Sequence, residues 1–203
     1  MTARYSLSFS DLELAALRKR AYRMLDEKRV PHVAGCEEEA VCLSERWGEV
    51  PSVAAAAAIL HDCTKRLSYN EQLALVKKYG ISCDDALLAS PKLLHAVTGA
   101  AVAKEEFHMP DEICSAIRWH TTGKPEMSLL EKIIYLADYI EPTRDFPGVE
   151  TLRKAAYDDL DSALALGLAM SVEEISRGGA EPYIDSILAS QYYHAERNSH
   201  AIS

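Results

Sequence analysis

In the run Ala58-Ile59-Leu60-His61-Asp62-Cys63-Thr64-Lys65 an imidazole and a carboxylate stand side by side at the end of an apolar stretch. Chance supplies a lone His-Asp pair in many chains of this length. Here it comes with His32 upstream, His95 and His120 downstream, and Asp138 inside a further apolar stretch. Imidazole nitrogens and carboxylate oxygens together are the donor set of a divalent metal that activates water. The set predicts a metal-dependent hydrolase.

Asp138 is the most telling member. It lies between Ala137 and Tyr139 in a segment rich in Ile and Leu, where an unpaired carboxylate is costly to bury. A bound cation would offset that cost. An ion pair with Lys132 or Arg144, or a partly exposed helix face, is the alternative, and the company of His61-Asp62 tips the balance to metal. His95 follows Leu93-Leu94 and His120 follows Ile117-Arg118-Trp119, so each reads singly as a core histidine. As a pair they could bind a second metal or hold phosphate oxygens. His108, His194 and His200 stand in polar segments and read as surface residues.

Basic residues flank these positions. Lys65 falls about one helical turn after Asp62, within reach of a phosphate held on the metal. Arg29 shortly precedes His32 and Arg144 shortly follows Asp138, and guanidinium suits bidentate phosphate recognition. Thr121-Thr122-Gly123 offers hydroxyl and backbone donors past a helix end, or serves only as a helix stop. Trp119 or Tyr139 could stack on a base, although aromatics more often fill a core.

The elements that must position these groups are helical nearly throughout. Ser10-Asp-Leu-Glu13 and Ser128-Leu-Leu-Glu131 are capping boxes, each followed by apolar residues at helical spacing: Leu14, Leu17, Tyr22 and Leu25 after the first, Ile133 to Ile140 after the second. A helix is expected from near His32 to Gly48, and a third from Pro51 through the alanine run Ala54–Ala58. Asn70 is expected to cap a helix ending at Gly80, and Pro91 to open one reaching Phe107. Pro110 should start the helix that carries His120. Pro142, Pro147 and Gly148 make 141–148 an ordered loop, and the longest of two or three final helices spans about Asp158–Arg177. No segment alternates with period two. The expectation is an all-α chain of one domain over 1–203, with a core over about 10–195 and a polar tail over 196–203.

With 22 Lys+Arg against 31 Asp+Glu the net charge is −9, so the surface as a whole repels phosphate backbones and nucleic acid is not an expected partner. The five cysteines (36, 42, 63, 83 and 114) contain no Cys-x-x-Cys and point to neither a disulfide framework nor a zinc ribbon. The N-terminus lacks a signal-like apolar run, and no stretch approaches the ~20 residues of a membrane span. A cytoplasmic protein without membrane contact is expected.

At these residues the chain resembles the HD-domain phosphohydrolases, defined by His…His-Asp…Asp, and more narrowly the YqeK family. The narrow likeness rests on His61-Asp62-Cys-Thr-Lys65, on Trp119-His120-Thr-Thr-Gly123, and above all on Lys132-Ile-Ile-Tyr-Leu-Ala-Asp138-Tyr-Ile-Glu-Pro-Thr-Arg144. It covers roughly residues 10–195. The resemblance implies an HD-domain helical bundle that cleaves diadenosine tetraphosphate symmetrically to two ADP. It implies His32, His61, Asp62 and Asp138 as metal ligands, with iron as the metal and one or two ions. Asp62, Lys65, His95 and His120 would be catalytic. Arg29, Asp62, Cys63, Thr64, Lys65, His95, His120, Thr121, Asp138 and Arg144 would meet the substrate, and Ser176–Tyr183 would approach the nucleotide. One departure is visible: the third histidine reads His95-Ala-Val-Thr-Gly99, where the family has His-Gly-Pro-Val. The alternatives are another HD-type nucleotide phosphatase or phosphodiesterase, and a nucleotide sensor without turnover. Monomer and homodimer both stay open.

Overall fold

A computed structural model describes the backbone of residues 7–200 and side chains through Glu196. Eleven α-helices follow one another among the described residues: α1 Asp11–Ala21, α2 Val30–Trp47, α3 Pro51–Leu60, α4 Tyr69–Tyr79, α5 Asp85–Leu88, α6 Pro91–Phe107, α7 Asp111–Trp119, α8 Leu129–Ile140, α9 Val149–Asp158, α10 Leu160–Arg177 and α11 Ile184–His200. No strand occurs among the described residues, and none of their helices is long and apolar enough to cross a membrane.

The capping chemistry works as the sequence reads. Ser10 with Glu13 and Ser128 with Glu131 form reciprocal boxes at the starts of α1 and α8. Proline occupies the first turns of α2, α3 and α6, where its missing N–H has no helical partner to lose. At α4 the expectation fails: Ser68, not Asn70, is the cap. Ser68-Tyr-Asn-Glu71 is itself a capping box, so both side chains are satisfied two residues earlier and Asn70 falls inside the first turn. α1 gives way to a 3-10 turn at Tyr22–Met24, and the short α5 has no counterpart in the sequence reading. The polar run that reads as a tail is helical through His200, because Ala195, Glu196 and Arg197 are good helix formers. Residues 201–203 lie outside the described part.

The core is organised around α3. Every residue from Val53 to Leu60 is buried, and α1, α2, α7 and α8 pack on it. Alanine on all sides lets four helices approach one axis, which longer side chains would forbid. Leu43, Ile113, Ile117, Ile133, Ile134, Leu136 and Ile140 fill the remaining layers. A small satellite of Leu87, Leu94 and Val97 joins α5 to α6. α6 runs unbroken through Ala96 and Val97, and Gly99 lets it come close to the end of α3: a Cβ there would stand 3.4 Å from the His61 carbonyl oxygen.

Leucine at Ala56 would have no space among these helices. Ala56→Leu should cost about 1–3 kcal/mol of stability and lower the melting temperature by several degrees. An unchanged melting curve would show that the face around α3 is not close-packed.

Candidate active site

Five helices bring six groups to a single point. His32 comes from the first turn of α2, His61 caps the C-terminus of α3 with Asp62 in the turn beyond, His95 lies on α6, His120 caps α7, and Asp138 stands in the last turn of α8. His32, His61, Asp62, His95 and His120 are all buried. Side chains as far apart in sequence as 32 and 138 thus meet. His32 Nε2 lies 3.3 Å from His61 Nε2 and 3.1 Å from Asp138 Oδ1. His95 Nε2 lies 3.1 Å from His120 Nε2 and 3.1 Å from Asp62 Oδ1. The rings of His32, His61, His120 and His95 form an edge-to-face chain with centroids 5.0–5.4 Å apart.

The tautomers decide what this cluster is for. His61 Nδ1 is 2.7 Å from the Ala58 carbonyl, His95 Nδ1 is 2.6 Å from that of Lys92, and His120 Nδ1 is 2.7 Å from that of Ile117. His32 Nδ1 is 3.0 Å from Glu141 Oε1. Each partner only accepts, so each Nδ1 must carry the proton. In the neutral rings all four Nε2 atoms are then lone pairs, aimed at one another and at two carboxylates. Lone pairs 3.1–3.3 Å apart repel unless positive charge sits between them. Asp62 Oδ1 is buried without a hydrogen-bond partner, because His95 Nε2 beside it has no proton to give. Three overlapping ligand sets result: His32-His61-Asp62, His61-His120-Asp138 and Asp62-His95-His120. Nitrogen and carboxylate donors, oriented from behind, fit a divalent transition metal.

Without a cation the crowding is relieved in part by protons: His61 favours its charged form beside the aspartates, whereas His95 and His120 stay neutral. Burial disfavours the charged forms of both aspartates, yet the surrounding imidazoles hold Asp62 and Asp138 well below the usual carboxylate range. Burial lowers His95, and it pushes His120 down to about 3 with help from its neighbours His95 and His61. His61 goes the other way: burial opposes its protonation, but Asp62 outweighs it.

Cations rim the cluster. Arg29 is bonded to Asp62 through its guanidinium, and Arg144 Nη2 donates to Asp138 Oδ1 at 2.7 Å. Arg144 is the ion pair weighed for Asp138, whereas Lys132 pairs with Asp161 instead. Lys65 Nζ reaches 3.2 Å from His95 Nε2. A cleft of about 390 Å³ opens beside His32, lined by Arg29, Arg144, Thr143, Tyr139, Phe146 and Glu174 among others. Tyr139 stacks on Phe146 there, while Trp119 is half-buried beneath the Arg118 guanidinium.

Two residues expected to meet the substrate have side chains turned into the core. Cys63 is buried, its thiol pushed up by burial and directed at the Gly99 carbonyl 3.9 Å away. Thr64 is buried too, and its hydroxyl donates to the His95 carbonyl at 2.8 Å, bracing α6. Both side chains face the core because the turn after His61 must pack against α6. The Thr121 hydroxyl is buried without a partner. Tyr183 donates to Asp84 at 2.8 Å, which fixes the end of the Ser176–Tyr183 segment on the α5 side. His108 and His194 are exposed, and the His200 side chain lies outside the described residues.

Sequence reasoning passed over Glu141. It is fully buried at the end of α8, receives His32 Nδ1–H, and accepts from the Thr143 N–H at 2.6 Å and hydroxyl at 2.5 Å. Its carboxyl is held below the ordinary range: burial opposes this, but the Thr143 and His32 donors prevail. In the sequence only its place at the end of an apolar helix, just before Pro142, hints at a special role. From α9, Arg153 donates to the carbonyls of Ile140, Glu141 and Arg144, tying that loop down.

A helical scaffold that gathers His…His-Asp…Asp in this way defines a class. Residues 29–143 match the HD domain, and the chain belongs to that family. It is 42% identical to the symmetrical bis(5'-nucleosyl)-tetraphosphatase of Halalkalibacterium halodurans, over 80% of this chain and 87% of that one. Identity to the enzyme of the same name from Bacillus subtilis is 38%, over 82% and 89% of the two chains. A crystal structure from Clostridium acetobutylicum, described as a predicted HD superfamily hydrolase involved in NAD metabolism, superposes with a TM-score of 0.86. It is 34% identical and covers 94% of this chain and 100% of that one.

If the lone pairs converge on a cation position, a divalent metal must stabilise the fold. Mn²⁺ at a hundredfold excess over its dissociation constant should add about 2.7 kcal/mol, seen as a rise of about 5–10 °C in melting temperature. The rise should shrink from pH 8 to pH 6, as protons compete for the same nitrogens. His61→Ala should abolish it; a rise surviving in that variant would place the ion elsewhere.

Proposed function

We propose that this protein is a metal-dependent phosphohydrolase that cleaves diadenosine tetraphosphate symmetrically into two ADP. The observation that carries the reading is the meeting of four Nε2 lone pairs and two carboxylates beside an arginine-rimmed cleft. The names of the relatives supply the substrate class, and they match this chain over most of its length. We also read residues 1–203 as one HD domain, since one apolar cluster joins α1, α2, α3, α7, α8 and α10. Five unpaired cysteines fit a reducing, cytoplasmic setting.

His32, His61, Asp62 and Asp138 would hold the cation, which we take to be iron. When bound, such a cation acidifies water and polarises a phosphoryl oxygen. The chain's own groups do the rest. Asp62 Oδ1, without a hydrogen-bond partner, orients the attacking water or takes its proton. The water oxygen bonds to a phosphorus next to the central bridging oxygen, that P–O bond breaks, and the departing ADP keeps the electron pair. Negative charge spreads over non-bridging and leaving oxygens, and Arg29, Arg144 and Lys65 offset it. His95 and His120 offer their Nε2 lone pairs to a second cation, or hold phosphate oxygens once protonated there, and Thr121 offers a hydroxyl. The cleft walled by Tyr139 and Phe146 would seat one ADP-sized half, leaving the other as leaving group.

Incubation with diadenosine tetraphosphate, with products resolved by chromatography, tests this directly. Two ADP per substrate are expected, and none from Asp62→Ala. ATP plus AMP would keep the hydrolase and reject symmetric cleavage. No product with iron or manganese would move the assignment to another HD-type substrate or to a sensor.

Lys65 gives a second test. Desolvation lowers its pKa despite the pull of Asp62, so the ammonium is lost at lower pH than for a free lysine. The rate should fall on the alkaline side as that charge disappears, and Lys65→Arg should move the fall to higher pH. Lys65→Met should lower kcat about 10²–10³-fold, the usual loss for one charge-stabilising donor. An alkaline limb unchanged in Lys65→Arg would assign it to another group.

A further inference from the structure

The four imidazoles of the site are not held alike. His61, His95 and His120 each give Nδ1–H to a neutral backbone carbonyl of their own helix. His32 gives its proton to a carboxylate brought from the far end of α8. That carboxylate is fully buried and otherwise bonded only within its own loop, to Thr143 and the nearby Arg144. Helix α2 makes room for it with a glycine: a Cβ at Gly35 would stand 2.7 Å from Glu141 Oε2.

We propose that Glu141 is a positioning residue of this site, fixing His32 as the Nδ1–H tautomer and making its Nε2 a stronger donor toward the cation. An anionic acceptor behind an imidazole stabilises the positive charge that the ring takes on when Nε2 donates, which a neutral carbonyl does far less. Gly35 serves the same end by leaving the carboxylate its place over α2. The inference rests on the cation site of the proposed function, but not on the identity of the substrate.

The experiment is a Mn²⁺ titration without nucleotide, followed by thermal shift and by bound metal, on the wild type, Glu141→Gln, Glu141→Asp and Gly35→Ala. Glu141→Gln keeps the shape and loses the charge. It should weaken Mn²⁺ binding about 10–100-fold while the metal-free melting temperature stays close to that of the wild type. Gly35→Ala should weaken binding in the same direction by displacing the carboxylate, and it stands in if Glu141→Gln does not fold. Glu141→Asp should recover part of the affinity. In spectra of ¹⁵N-histidine-labelled protein, the His32 Nδ1–H signal should shift in Glu141→Gln, with the other three unchanged. Wild-type affinity in both Glu141→Gln and Gly35→Ala would overturn the proposal. So would equal losses of stability with and without metal, which would mark Glu141 as structural only. Because no nucleotide is present, failure of the tetraphosphate assay leaves this result standing on its own.

Discussion

The structure depends on one electrostatic constraint: four imidazole lone pairs and two carboxylates share a volume too small for them unless positive charge lies between. His32 and His61 face each other at 3.3 Å and His95 and His120 at 3.1 Å, with every Nδ1 already committed to an acceptor. Such an arrangement is unfavourable by itself and must be imposed by the fold. The alanine-lined α3 does so. By admitting α1, α2, α7 and α8 at close range, it brings the ends of α2, α7 and α8 to its own C-terminus, where His61 and Asp62 stand.

Charge is distributed in a way the net value of −9 conceals. Around the site the aspartates are matched by Arg29 and Arg144, with Lys65 near His95. Both guanidinium groups also line the cleft beside His32. The acidic exterior then discourages long polyanions, while the interior welcomes a short one that can enter the pocket.

Much of the site was legible because helix ends announce themselves. His61 and His120 follow apolar helical runs and sit at the caps, and Asp138 stands out as a charge in a run of Ile and Leu. What was not legible required a third dimension. Cys63 and Thr64 sit between two site residues in sequence, yet the turn directs them into the core, and only the position of α6 reveals that. Glu141 reads as one more polar residue before Pro142 until His32, from the other end of the domain, is laid against it. The cap of α4 was a different failure: two candidates stood two residues apart, and the one with a glutamate at the right spacing prevailed.

The segment after α8 has the composition of a surface connection, and such connections commonly vary in length among relatives. Arg153 makes this one an exception. Its three carbonyl contacts, with Glu141 anchored at one end and Arg144 at the other, fix the spacing of the chain to a fraction of a residue. One inserted or deleted residue would displace the guanidinium of Arg144 by ~3.3 Å, more than the length of its bond to Asp138. The connection between α8 and α9 is therefore bound to its length by the same contacts that hold the site.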